Sequence, residues 1–369
     1  MTVLRAVLAA HRRNLRLARR DPTLVLQAAV VPLVVLALCA VIFGGGGDAW
    51  PVAVTDHADT EQSRALVATI EDAHSGISPY FAVVETDPRR AAEQVRAGRL
   101  QLHVEIPADF DRSGAIHVAT YNINSDAMKN ARLRLTTALN AYDAAAGQLP
   151  VVVDVDRLAP ADVPRTAFIA GSAVLLALTF GAALLAANLF AVDAEARTSK
   201  EIVLSPLGPA WAGVAAALSG IALAPVTALP TILVATAAFG LPPDPGDALR
   251  AGFVLAPTMV AAAGAGVAVA HLLRRHQALQ PVVILAGIAS FFAAGGLVGV
   301  ADLPPAPRAF AAAWPASRVF EWVNPLLHGF IEQVPATQWT AATAAAAGGL
   351  ALAYLSGHRE RALFVNRRR

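Results

Sequence analysis

The sequence is short of charge, of lysine and of cysteine. Asp, Glu, Lys and Arg make up only 15% of its 369 residues, against 56% hydrophobic residues, and the mean hydropathy is +0.52. A soluble chain usually carries about 25% charge. Here the charge is clumped, leaving several uncharged stretches of roughly 20 residues or more. That excludes an ordinary soluble enzyme and points to a multispan membrane protein. Cys39 is the only cysteine, which excludes a disulfide-built secreted domain. Lys129 and Lys200 are the only lysines among 29 basic residues; beside so much alanine, this reads as base-composition bias. The net charge of +2 comes from arginines divided among segments that flank apolar runs, so no nucleic-acid partner is expected.

The chain also lacks the motifs of known chemistries. No Gly-x-x-x-x-Gly-Lys-Ser/Thr loop is present, so nothing cradles ATP phosphates. The glycines at 44–47 follow an apolar run and read as a flexible exit from it. There is no Gly-x-Ser-x-Gly elbow and no His-Glu-x-x-His, so no catalytic, metal or cofactor-binding residues are assigned. Ion-coupled transporters generally place Asp, Glu, Arg or His within the bilayer. Here the apolar runs hold none of these, and offer such groups as Gln27, Asn188, scattered Ser and Thr, and prolines 32, 225, 230 and 257. A chain that moves a solute without ionisable groups takes its energy from elsewhere.

What is present is a series of apolar runs. The first, Leu24 to Phe43, matches a hydrocarbon core of about 30 Å. A cleaved signal peptide would be shorter and would end in a small-residue cleavage site; this run follows an arginine-rich head and ends in Gly44-Gly45-Gly46-Gly47, so it reads as an uncleaved anchor. Further spans are expected at Thr166 to Val192, Trp211 to Phe239, Ala251 to Ala270, Ala278 to Val300 and Gln338 to Ser356, six in all. The expected fold class is an α-helical polytopic membrane protein of six transmembrane helices, with an extracytoplasmic α/β domain inserted between spans one and two. The boundaries are a head over 1–22, span one over 23–45, the inserted domain over 46–165, spans two to six over 166–356 and a basic tail over 357–369. Arginine placement orients the spans. The head (Arg5, Arg12, Arg13, Arg16, Arg19, Arg20), the turn at Arg274-Arg275 and the tail (Arg359, Arg361, Arg367, Arg368, Arg369) fall on one side, which puts both termini in the cytoplasm. The segment from Asp48 to Arg165 carries 17 acidic and 11 basic residues and falls outside. In the head, Val3, Leu4, Val7, Leu8, His11 and Leu15 recur at helical spacing opposite the arginines, which predicts an amphipathic helix in the cytoplasmic membrane interface.

The outside segment reads as a small α/β domain, large enough for one core. Strands are expected at Pro51 to Thr55, Phe81 to Glu85, Leu100 to Ile106 and Ile116 to Tyr121. Helices are expected at Thr60 to Ala73, Asp87 to Arg96 (closed by Gly98) and Ser125 to Tyr142. His57, His74, His103 and His117 have no metal-ligand spacing. Asp56 and Asp59, near a strand end, read as caps of a turn and the next helix rather than as a cation site.

Between spans two and three lies a short charged segment, residues 188–206, closed by Ser205-Pro206. It has Glu195, Thr198, then Ile202-Val203 and Ser205-Pro206. Residues 91–110 run helix, Gly98, alternating strand, Ile106-Pro107-Ala-Asp-Phe110. Residues 315–329 contain Asn324-Pro325-Leu326. In this order, spacing and sidedness the chain resembles, over nearly its whole length, the membrane (permease) subunit of ABC-type exporters of the type-two permease class with a large extracytoplasmic domain. Arg197 stands where that family usually has Gly, and Lys200 where it often has Glu.

The resemblance implies a cytoplasmic coupling loop over 191–210, with Glu195, Arg197, Thr198, Lys200, Glu201 and Pro206 meeting an ABC ATP-binding subunit. It implies an outer re-entrant segment over 302–336, with Glu321, Asn324 and Pro325 at an outer gate. It further implies a second permease unit, like or unlike, and contact with membrane lipid. ATP and Mg would sit on the partner subunit, with no cofactor and no enzyme activity on this chain. The expected function is the pathway of an ATP-driven exporter for an amphiphilic or lipophilic substrate (drug, antibiotic, lipid or peptide) in a bacterial cytoplasmic (inner) membrane. Three other classes stand beside it: a non-transporting sensor or surface protein whose outside domain binds a ligand or partner, an ion-coupled transporter, and, least supported, an intramembrane enzyme.

Overall fold

The computed structural model describes residues 3–44, 49–75, 78–96, 100, 102–120, 125–145, 163–195, 201–202, 208–241, 244–297, 300, 305–329 and 334–366. The chain divides into two compact units, Met1–Ala40 with Arg165–Arg369, and Val41–Pro164.

The first unit is helical. It comprises α1 (Val3–Arg20), α2 (Thr23–Gly44), α7 (Arg165–Glu195), α8 (Pro209–Phe239), α9 (Pro245–Leu273), α10 (His276–Ala293), α11 (Pro305–Ala313), α12 (Ser317–Leu327) and α13 (Ala336–Asn366). Five of these, α2, α7, α8, α9 and α10, are long and apolar enough to cross a membrane. The sixth expected span lies within α13, a 31-residue helix whose alanines, glycines and threonines make it less apolar. The basic tail expected from residue 357 is no separate element as far as Asn366, because α13 runs through it. Span five is shorter than its uncharged run: α10 stops at Ala293, and the chain turns through Gly295 at φ +107°, a conformation that favours glycine.

α7 is the hub. It is apolar on every face and packs against α8, α9, α10 and α12, as a helix without a polar stripe must. Its neighbours come very close because their contact residues are small. A Cβ on Gly220 of α8 would lie 2.6 Å from the carbonyl oxygen of Ala182. One on Gly264 of α9 would strike the backbone of Gly349 in α13. The two-residue turn Arg274-Arg275 joins α9 to α10, with Arg274 in the left-handed region at φ 58°.

The second unit is α/β. It comprises β1 (Trp50–Asp56), α3 (Glu61–Asp72), β2 (His74–Ser75), β3 (Ser78–Pro79), β4 (Phe81–Glu85), α4 (Pro88–Arg96), β5 (Leu102–Ile106), α5 (Phe110–Ser113), β6 (His117–Thr120) and α6 (Ser125–Ala145). The main sheet has the order β4-β1-β5-β6, with β1 parallel to both neighbours and β6 antiparallel to β5. Strand alternation sorts the core. Val52 and Val54 join Leu66 and Ile70 of α3 and Leu135 and Ala138 of α6, while Ala53 between them joins Ala91 and Val95 of α4. Gly98, the expected cap, lies outside the described residues.

Asp56 shapes the turn after β1. Its Oδ1 accepts from the backbone N–H of Ala58 (2.9 Å) and of Asp59 (3.1 Å), and its Oδ2 accepts from the Ser63 hydroxyl at 2.6 Å. Thr60 and Ser63 form a reciprocal capping box on α3. Burial raises the Asp56 carboxyl, but the hydroxyl, the two N–H groups and Arg64 outweigh it and hold it below its ordinary value. His103 is buried in the sheet, 2.9 Å from the Thr55 hydroxyl. Burial pushes its pKa down, with Glu105 opposing and His57 reinforcing the shift.

Candidate coupling and gating sites

Glu195 is the last residue of α7, and it meets the first residue of α10. Its Oε1 accepts the His276 backbone N–H at 2.6 Å, and its Oε2 lies 3.8 Å from His276 Nε2. The first N–H groups of a helix have no partner inside it, and a carboxylate satisfies them while also favouring the dipole. Two residues earlier, Asp193 accepts from Arg13 of α1, Nη2 to Oδ2 at 2.6 Å. The end of α7 is thus tied both to the start of α10 and to the head helix.

α1 is itself seated on α8. Ala6, Val7, Asn14 and Ala18 are buried, and α1 packs along α8. Ser219 of α8 donates to the Ala215 carbonyl (2.7 Å) and accepts from Asn14 Nδ2 (3.3 Å). His11 Nδ1 lies 2.9 Å from the same hydroxyl; with the Ser219 proton spent, the ring nitrogen is the donor. The apolar stripe expected on α1 therefore splits. Val7 turns into α8, while Val3, Leu4 and Leu8 stay exposed. Among the other expected coupling residues, Glu201 is exposed on a helical turn; Arg197, Thr198, Lys200 and Pro206 lie outside the described residues.

The other expected site is on α12, and its residues part company. Asn324 is fully buried and donates from Nδ2 to the Ser172 hydroxyl of α7 at 2.9 Å. Gly171 makes room for this contact, since a Cβ there would lie 2.7 Å from Asn324 Oδ1. The His328 ring, one turn on, stacks on Phe168 of α7 with centroids 6.4 Å apart. Glu321 faces outward and pairs with Arg318 on its own helix. Pro325 is half-buried inside α12. Asn324 therefore joins α12 to α7, and Glu321 does not.

Among the described residues, no Asp, Glu, Lys or Arg is buried. The polar groups inside the helical unit are neutral: Asn14, Ser172, Asn188, Ser219, Thr227, Thr231, Ser290, Ser317, Asn324 and Ser356. Asn188 bridges α7 to α2 by donating to the Leu24 carbonyl at 2.9 Å, and Gln27 of α2 donates to Gln280 of α10 at 3.2 Å. Sequence reasoning missed Arg13, Asp193, Ser172, Ser219 and His276. Asp193 and His276 carried a signal, each standing at a helix end beside an apolar run. Ser172 and Ser219 carried none that sets them apart from the other span hydroxyls.

A family model described as ABC-2 family transporter protein matches residues 23–355. The chain belongs to the ABC-2 transporter family. It is therefore the permease component of an ABC transporter, a multi-pass membrane protein that pairs with an ABC ATP-binding subunit. No curated protein and no solved structure matches the chain.

Proposed function

We propose that this ABC-2 permease forms the pathway of an ATP-driven exporter for amphiphilic or lipophilic substrates, working as one of two permease units with a separate ATPase. The observation that carries this reading is α7. It is one helix without proline, 31 residues long and so about 45 Å from end to end. At its C-terminal end Asp193 and Glu195 tie it to α1 and α10. Near its N-terminal end Ser172 holds Asn324 of α12. A rigid rod linked at both ends transmits displacement.

In this reading the α7–α8 connection and α1 face the cytoplasm of a bacterial inner membrane, where the arginine-rich segments belong. Closure of the ATPase pushes there. α7 moves with α1 and the start of α10, and the displacement reaches the Ser172–Asn324 contact, which opens the outer side. Neutral lining and the absence of buried charge among the described residues suit an apolar cargo. Hydrolysis resides on the partner subunit, and this chain performs no chemistry of its own.

The test is to tag the C-terminus, purify from native membranes in mild detergent and ask whether a P-loop ATPase accompanies the chain. Co-purification, with hydrolysis that depends on this chain and rises with an amphiphilic substrate, is the expected result. A chain that comes alone under several mild extractions would favour a sensor role for the α/β unit.

A further inference from the structure

We infer that the cavity enclosed by α7, α9 and α10 binds a single alkyl chain within one subunit. This rests on the chain being a membrane protein and not on ATP-driven export. The cavity has a volume of about 270 Å³. Its walls include Phe180 and Ala183 of α7, Ala262 and Gly266 of α9, and Ala286 of α10, with Trp314 from the α11–α12 junction.

The cavity exists because small side chains on α9 and α10 leave space that the helices cannot close. On one side, a Cβ on Gly266 would strike the backbone of Ala183, so α9 already touches α7. On the other, a Cβ on Gly287 would lie 2.6 Å from Phe180 Cδ2, so the Phe180 ring already rests on α10. Both approaches are at their limit, and the space between them persists.

Its chemistry excludes a polar occupant. The Thr179 hydroxyl donates to the Leu175 carbonyl at 2.7 Å. The Ser290 hydroxyl donates to the Ala286 carbonyl at 2.6 Å and accepts from Trp314 Nε1 at 2.7 Å. Among the described residues, every polar hydrogen in the wall is thus engaged, and no charged residue lines it. A headgroup placed here would lose its water without compensation. An apolar cavity of about 150 Å³ stays dry and admits benzene; this one has room for a chain. Val282 in its wall is 47% exposed, so the cavity opens on the apolar exterior that hydrocarbon covers. An alkyl chain entering from that side meets methyl groups and rings throughout.

The experiment is photolabelling of the full-length protein in nanodiscs. One arm uses a phosphatidylcholine with a diazirine in its acyl chain, and the other a diazirine-bearing long-chain alkanol. Adducts are expected on Phe180 and Ala183. They should fall about tenfold, equivalent to about 1.4 kcal/mol of lost affinity, in Ala286→Phe, whose ring would take the ligand's place. Adducts on the exposed Leu233 and Leu272 should persist. Ala262→Leu fills the same space from α9 and serves should Ala286→Phe fail to assemble. Labelling by the phospholipid identifies bilayer lipid as the source, and labelling by the alkanol alone identifies single-chain amphiphiles; either supports the site. No adducts on Phe180 and Ala183 while Leu233 and Leu272 are labelled, or adducts indifferent to both fillings, would overturn it. Neither result depends on whether an ATPase co-purifies.

Discussion

Glu195 caps a helix, and the proposed coupling role rests on the same carboxylate. Its carboxylate holds the first N–H of α10 at 2.6 Å, and its loss costs about 1 kcal/mol on the scale of other helix caps. That is too little to prevent assembly in a unit with so much buried surface. Glu195→Ala should therefore insert normally yet lose most of the chain-dependent ATP hydrolysis. Glu195→Gln keeps an acceptor oxygen for His276 and should retain more. Hydrolysis by the purified complex measures both, and wild-type stimulation in the alanine variant would sink the role. Asp56 and His103 act at the same scale but on stability. His103 is pushed below its ordinary value in the fold, so the unfolded chain binds its proton first. Its contribution is present above the unfolded pKa of about 6.5 and is lost as pH falls from there toward the folded value. Asp56 is also held low. Its contribution is present above the unfolded value of about 3.9 and is lost as pH falls further through its folded value. Hydrogen exchange of β1 and β5 amides in the full-length protein, corrected for intrinsic rates, should accelerate in two steps on acidification. His103→Gln should remove the upper step alone.

At the scale of elements, the sequence marks helices by what their residues avoid. Charge-free runs fall on α2, α7, α8, α9 and α10 because a bilayer tolerates no unpaired charge. Period-two alternation finds β1, β4, β5 and β6 to within two residues of their observed ends. Two boundaries escape that logic. α10 ends at Ala293, well before the uncharged run does, because Gly295 turns the chain, and hydropathy does not register a turn made of apolar residues. α13 continues through its arginines to Asn366, because a change of charge does not break a helix. The ties at the α7 terminus were illegible for another reason: Arg13 and Asp193 are 180 residues apart, and nothing local in either segment names the other. Close packing was legible as composition but not as position. Gly348 and Gly349 are neighbours on α13, yet a Cβ at Gly348 meets nothing within 4 Å and one at Gly349 lies 2.6 Å from the Ala261 Cα. Gly348→Ala should leave stability unchanged or raise it by up to about 1 kcal/mol. Gly349→Ala should lower it by about 1–3 kcal/mol through overpacking. Thermal unfolding of the detergent-solubilised protein compares them, and equal effects would mean that α9 and α13 pack less tightly than the structure shows.

At the scale of the whole permease, α7 either transmits displacement or merely fills the centre, and the two roles make different predictions. The Ser172–Asn324 bond and the Glu195–His276 bond sit near opposite ends of one helix, about 35 Å apart at 1.5 Å per residue. Sites so distant, with no shared partner, ordinarily give additive effects on stability. If α7 only fills space, Ser172→Ala and Glu195→Ala should also add in their effects on transport, each lowering it through its own local defect. If α7 is the rod through which the ATPase opens the far side, both variants cut one series linkage. Once either link is broken, breaking the second changes little. Ser172→Ala also leaves the buried Asn324 amide without its acceptor, at about 1–3 kcal/mol, so stability must be measured beside transport. The expected result is additivity in unfolding free energy together with clear non-additivity in substrate export by the reconstituted complex, the double variant transporting about as well as the worse single one. Additivity in both would leave α7 as packing and move the coupling route to α8 or α9, the other long helices that touch both α7 and α13.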